Sequence, residues 1–382
     1  MPMRDAARSA CISQAFLRSW SWLQVAVTPG IEELTLILYE KYNFPCSLLS
    51  DGVRNSIRYL RLRSCAFHPT VELGPLRSLT SLRLQSVRIT GDELECLLSN
   101  SLALEQLKLS GCKEIIFLKI PCVLQQLKSL RVLTCSRLQA IESEAPNLSR
   151  VYLCEGKIKF SPGEALHMKD FTLWRVNSIC YARAELPSIM PNLERLVLTS
   201  CDEVVNTPML PSKFLYLKHL TITMVSGGAF SPSYDYFSLV SFFDASPSLE
   251  TLLLNVSSGR MEHESVFGGT SHLRQLPEQC RHDCLKRLEI IGFSSAKGLV
   301  ELTCCIVKNA VSLEHLVLNT LPGRGWCSKV DNRITCRPFS KTLFEEALRT
   351  VAAITSYIQD EVPPGAKLTV VEPCERCHSS SR

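Results

Sequence analysis

Four cationic side chains stand at one position of a recurring short motif. Arg61, Arg83, Lys108 and Arg131 each sit between the apolar residues of a triplet: Leu60-Arg-Leu62, Leu82-Arg-Leu84, Leu107-Lys-Leu109 and Leu130-Arg-Val132. Arg63 follows two places after Arg61. Alternate residues of a strand point to opposite faces, so these cations leave by the face the leucines do not use. Triplets laid side by side about 4.8 Å apart would spread the four charges over roughly 15 Å. Like charges stacked in this way repel unless water or an anion compensates them. The chemistry on offer is capture of an acidic peptide segment or a phosphate-rich ligand. The plain alternative is a solvated strand face, which Lys and Arg occupy freely. Later triplets carry Tyr152, Thr172, Val197, Thr221 and Leu253 at the same position. With Trp174 and Ile291 they make that end of the face more apolar. A basic end beside an apolar end suits a protein partner of mixed chemistry.

Residues for covalent chemistry are scattered by comparison. The sequence holds no G-x-S-x-G, no P-loop and no H-E-x-x-H, and nothing places its Ser, His and Asp residues together. Cys374-Glu-Arg-Cys377-His378 has the form of a haem-attachment string or half a zinc site, and Cys280-Arg-His282-Asp-Cys284 offers three potential ligands. A zinc site needs four ligands, and no second C-x-x-C lies near the first. The expectation is therefore no enzyme, no metal and no cofactor.

The elements that carry the cations follow from a repeat. Leu104-Glu-Gln-Leu107-Lys-Leu109-Ser-Gly-Cys112 reads L-x-x-L-x-L-x-x-C, the leucine-rich-repeat signature. Its central apolar residue recurs at Leu34, Leu60, Leu82, Leu107, Leu130, Val151, Phe171, Leu196, Leu220, Leu252, Leu288 and Leu316. Nine of the eleven steps fall between 20 and 28 residues; the steps of 32 and 36 point to insertions. One such strand cannot bury its apolar face alone, but stacked coils bury a continuous core. The fold class expected is α/β: a leucine-rich-repeat solenoid with a parallel sheet on its concave side. Cys65, Cys112, Cys135 and Cys201 fall in the repeat's N/C slot, where a small side chain packs beneath the turn.

Composition sets the remaining bounds. A chain of 382 residues would ordinarily suggest two or three domains, but a solenoid grows by addition. The net charge of +5 is too mild to imply nucleic acid. No run of 18 apolar residues appears, so no membrane span is expected. Gln14, Arg18 and Gln24 interrupt the apolar stretch near the start, which does not read as a secretory signal. The 18 cysteines are then expected as reduced thiols, in the cytoplasm or nucleus.

Ahead of the repeats, Asp5-Ala-Ala-Arg8-x-Ala-Cys-x-Ser13-x-Ala-Phe16-Leu17-Arg18-x-Trp20 has helical apolar spacing. It resembles the second half of an F-box, and the repeats after it are similar to those of plant F-box/leucine-rich-repeat proteins. The first half of the motif, with its Leu-Pro start, is absent before Met1. The resemblance implies a substrate-recognition subunit of a Skp1-cullin-F-box ubiquitin ligase. Arg8, Ser13, Phe16, Leu17 and Trp20 would face a Skp1-type adaptor. Arg61, Arg63, Arg83, Lys108, Arg131, Tyr152 and Trp174 would face a protein substrate. Two alternatives stay open: a relative that binds partners without Skp1, and a receptor for an anionic small ligand on the concave face.

The expected organisation is a partial F-box-like helical segment over 1–22, repeats over 23–337, a helix–strand cap over 338–372 and a disordered tail over 373–382. Residues 224–248 and 256–284 read as inserted loops, the second with His263, His272 and His282. Thr342-Leu-Phe-Glu345 reads as a capping box. An apolar stripe of Leu343, Ala347, Leu348, Val351, Ile354 and Ile358 follows, and then a last strand at 367–371.

Overall fold

The computed structural model describes residues 27–38, 42–49, 51–69, 73–154, 156–163, 166–201, 203, 205–225, 234–256, 264–268, 272–274, 281–321 and 340–374. The expected N-terminal helical segment, most of the C-terminal tail and His263 lie outside them. The chain divides into two compact units, Met1–Phe171 and Thr172–Arg382.

In the first unit the strands are β1 (Glu33–Ile37), β2 (Tyr59–Arg63), β3 (Ser81–Gln85), β4 (Gln106–Ser110), β5 (Phe117–Ile120), β6 (Ser129–Leu133), β7 (Ala140–Ser143), β8 (Arg150–Cys154) and β9 (Lys159–Ser161). β1, β2, β3, β4, β6 and β8 pair in that order, all parallel. Their register is the one the repeat predicts: Leu34, Leu60, Leu82, Leu107, Leu130 and Val151 lie side by side. All six are buried. Each such side chain contributes about 2 kcal/mol of hydrophobic stabilisation. Because the side-chain period is two, this register puts every intervening residue on the other face. β5, β7 and β9 form a second, smaller parallel sheet.

The coil leaves β2, β3, β4 and β6 through a left-handed residue. Ser64, Ser86, Gly111 and Thr134 have φ of +54°, +51°, +65° and +51°. Their N–H groups extend the ladder to the next coil, donating to the carbonyls of Gln85, Ser110, Leu133 and Cys154 at 2.7–3.2 Å. The turn then drops Cys65, Cys112 and Cys135 into buried positions, as the N/C slot requires. The Cys112 thiol reaches the carbonyls of Leu84 (3.7 Å) and Ser110 (3.8 Å). Burial pushes the Cys65 thiol up to about 12.

Helix Gly91–Ser99 covers part of the core with Leu94, Leu97 and Leu98. Its cap is Thr90, whose hydroxyl accepts from Glu93 N (3.3 Å) while the Glu93 carboxylate accepts from Thr90 N (2.8 Å).

β10 (Asp170–Trp174) falls where the chain divides. The second unit holds β11 (Arg195–Ser200), β12 (His219–Met224), β13 (Thr251–Val256), β14 (Arg287–Ile291), β15 (His315–Asn319) and β16 (Lys367–Val371), again parallel and consecutive. Leu196, Leu220, Leu252, Leu288, Leu316 and Leu368 align across it.

Three expectations need correction here. Residues 236–245 are not loop: a 3-10 turn at Tyr236–Leu239 leads into helix Val240–Ala245. Tyr234, Tyr236, Phe242 and Phe243 are buried there, and Tyr234 can be, because its hydroxyl shares a hydrogen bond with Thr207 at 3.1 Å. Helix Lys341–Tyr357 is capped by Ser340, not Thr342, since the Ser340 hydroxyl accepts from Leu343 N at 3.3 Å. Its stripe loses Leu348, which is exposed, and gains Thr350, whose hydroxyl bonds back to the Glu346 carbonyl at 2.7 Å.

Candidate functional site

The outward face of the first unit is where the cations meet. The register places Thr35, Arg61, Arg83, Lys108, Arg131 and Tyr152 in a single column across β1, β2, β3, β4, β6 and β8. Arg63 lies one column over, beside Gln85 and in line with Ser110. Arg61, Arg83 and Lys108 are half-buried and Arg131 is exposed.

Side-chain contacts fix this column. Arg61 Nη2 donates to Gln85 Oε1 at 3.5 Å. Arg83 lies over the Tyr59 ring, 5.2 Å from its centroid, and Arg131 over the Tyr152 ring at 4.9 Å. Each such cation–π contact contributes about 0.5–1 kcal/mol at an exposed site. Among the described residues none of the four cations is paired with a carboxylate. Two unit charges at the roughly 5 Å strand spacing cost each other about 1 kcal/mol even in bulk water. The Lys108 ammonium shows the effect: partial desolvation first, then Arg131, Arg83 and Arg61, hold its pKa below the ordinary lysine value. A shallow cavity of about 120 Å³ opens over the column, lined by Arg61, Arg83, Leu84, Gln85, Lys108, Ser110 and Leu133.

Tyr59, Gln85 and Ser110 were not anticipated as site residues. They stand two places from a column member in the same strand, so reading every outward position would have found them. The second unit is different in character. Its corresponding column reads Val197, Thr221, Leu253, Glu289, Val317 and Thr369. Glu289 is held by Arg287 at 2.9 Å. Ile291, expected on the outward face, is buried at the end of β14, so Val197, Leu253 and Val317 are the half-exposed apolar members of the column. Trp174 is 40% exposed, and its indole N–H donates to Cys201 Sγ at 3.1 Å.

One histidine of the second inserted segment, His282, serves the core. His282 is buried, its ring stacked on Phe243 with centroids 4.4 Å apart, and Nε2–H donates to the Ser246 carbonyl at 2.6 Å. Nδ1 has no hydrogen-bond partner among the described residues, and burial holds the ring's pKa below the ordinary 6.5. Below pH 6.5 the unfolded chain takes up a proton that the folded chain refuses, so stability declines as the pH falls. Urea titrations at about pH 7.5 and 5.5 should show that decline in the wild type and a smaller one in His282→Gln; equal declines would remove His282 as its source. Among the described residues no group of three or more His, Cys, Asp and Glu could hold a metal ion.

A family model described as "At1g61320/AtMIF1, LRR domain" matches residues 7–375. The chain belongs to this family. The AtMIF1-type match takes in Arg8, Ser13, Phe16, Leu17 and Trp20, which lie outside the described residues. The chain is 21% identical over 322 residues to the putative FBD-associated F-box protein At1g61330 of Arabidopsis thaliana, covering 78% of this chain and 70% of that one.

Among solved structures, the Leptospira interrogans LRR protein LIC12759 overlaps 91% of this chain and 86% of its own at 14% identity and a TM-score of 0.31. The leucine-rich-repeat domain of the type III effector XCV3220 (XopL) overlaps 96% and 86% at 14% identity and a TM-score of 0.23. Superpositions this loose carry no argument. The family and the F-box relative support a protein-interaction module of leucine-rich-repeat type. Among the described residues no helix is long and apolar enough to cross a membrane.

Proposed function

We propose that the chain is the partner-selecting subunit of a Skp1-cullin-F-box ubiquitin ligase and does no covalent chemistry itself. The observation that carries the partner-selecting part is the column of Arg61, Arg83, Lys108 and Arg131, aligned on one face without a carboxylate among the described residues. Such a column is poorly compensated until an anionic segment covers it. Arg63 and Tyr152 border it and extend the contact. Trp174 supplies an exposed aromatic in the second unit, where a partner of mixed chemistry finds Val197 and Leu253. The ligase part rests on the relative At1g61330, described as a putative F-box protein, and on the segment Arg8, Ser13, Phe16, Leu17 and Trp20 as the adaptor-facing residues.

The two parts separate experimentally. A tagged chain expressed in plant cells should co-purify a Skp1-type adaptor, and the Phe16→Ala/Leu17→Ala/Trp20→Ala variant should lose it. If the wild type recovers no adaptor, the ligase assignment falls and a partner-binding repeat protein remains.

A further inference from the structure

The cavity over the basic column is small, and each polar side chain that lines it can present a donor. Arg61, Arg83 and Lys108 supply three positive charges, and Ser110 supplies a hydroxyl. Gln85 Oε1 already accepts from Arg61, which leaves the amide NH₂ to donate. The column forms no ion pair with a carboxylate among the described residues. A site of this kind favours many acceptor oxygens on one compact, doubly charged group. A carboxylate brings two oxygens and one charge. A phosphoryl group brings three oxygens and about −1.5 to −2 charges at neutral pH. The size also fits one group rather than a row: the cavity, about 120 Å³, includes three of the four cations and leaves Arg131 outside. Arg131, held over Tyr152, is one strand further along, where the next residues of an extended chain would pass.

We infer that the cup formed by Arg61, Arg83, Gln85, Lys108 and Ser110 seats a phosphorylated side chain of the partner protein, with Arg131 and Tyr152 contacting the residues beside it. This rests on the partner-binding reading of the face and names the chemistry recognised there. Arg61 and Arg83 present planar donor forks suited to phosphoryl oxygens, and Lys108 adds a point charge between them and Arg131. A peptide partner is favoured over a membrane because the cup is cut into the outward face between strands. Gln85 and Ser110 line it there, Tyr59 lies under Arg83, and an extended chain can run on across the strands toward Arg131 and Tyr152.

The test is a pool of degenerate peptides with phosphoserine fixed at the centre, compared with matched pools carrying Glu or Ser there. Binding is read by fluorescence polarisation against the full chain. The phosphoserine pool should bind at least about 10-fold more tightly than the Glu pool, and the advantage should fade as the pH falls through about 6, where the dianion is protonated. Arg83→Gln/Lys108→Met should reduce the advantage to below about 2-fold. Its circular dichroism should match the wild type; if it does not, Ser110→Ala and Arg61→Gln are read in its place. Equal binding of the Glu and phosphoserine pools overturns this inference while leaving an acidic-segment reader intact. Retention of the phosphate advantage in the variants also overturns it, because the phosphate would then sit elsewhere. Binding of phosphoinositide vesicles without binding of any peptide pool would reassign the cup to a lipid headgroup and overturn both readings.

Discussion

Gly292→Ala is expected to cost about 4 kcal/mol of folding stability, the largest effect of any single methyl added to the described glycines. Two independent penalties meet at this residue. Gly292 has φ +74°, a conformation that L side chains rarely adopt. A Cβ placed there would also lie 1.9 Å from the carbonyl oxygen of Val256, where β13 ends. That oxygen belongs to backbone, so relief requires the coil after β13 to move away from the coil after β14. Because β13 and β14 pair in register along their length, the displacement would loosen the ladder itself. Gly365→Ala is the control: nothing lies within 4 Å of its Cβ position, and the change should fall within about 0.5 kcal/mol. Urea unfolding followed by far-ultraviolet circular dichroism measures both. A loss below about 1 kcal/mol for Gly292→Ala would mean that the two coils do not approach as described.

The register of the sheet was readable because the leucine spacing states it directly: each repeat's central apolar residue lies beside the next, with no slip. The turns were less readable. Four successive coils in the first unit use a left-handed residue, yet only Gly111 announces it; Ser64, Ser86 and Thr134 adopt the same conformation because the ladder bond to the next coil holds them there. Segment 224–248 looked like a loop because Ser-Gly-Gly and Ser-Pro-Ser dominate its first half. Its second half buries four aromatic rings, which a local turn signal does not reveal.

Arg183 is a similar case. It is fully buried on helix Ser178–Ile189, donating to Ser241, Ser212 and the Leu210 carbonyl. Nothing in its neighbours along the chain distinguishes it from a surface arginine. At the site, the four-cation column was legible from spacing alone. The tyrosines beneath Arg83 and Arg131, and the cup that Gln85 and Ser110 complete, depend on side chains from neighbouring coils.

Reversing the centre of the column should have the largest effect on function. Arg83 and Lys108 are adjacent in register, with Arg61 and Arg131 on either side. Arg83→Glu/Lys108→Glu replaces attraction with repulsion toward an anionic segment, and like-charge juxtaposition at an interface costs several kcal/mol. The expected loss of affinity for such a partner is at least about 100-fold. The fold should tolerate the change, because both side chains point away from the leucine core and the new glutamates would stand beside Arg61 and Arg131.

Proximity labelling in living cells, comparing the wild-type chain with Arg83→Glu/Lys108→Glu at equal expression and with matching circular dichroism, tests the account most directly. Proteins labelled by the wild type, apart from any Skp1-type adaptor held by the N-terminal segment, should be lost from the variant, beginning with those carrying acidic or phosphorylated segments. The same set of proteins labelled by both chains would contradict it.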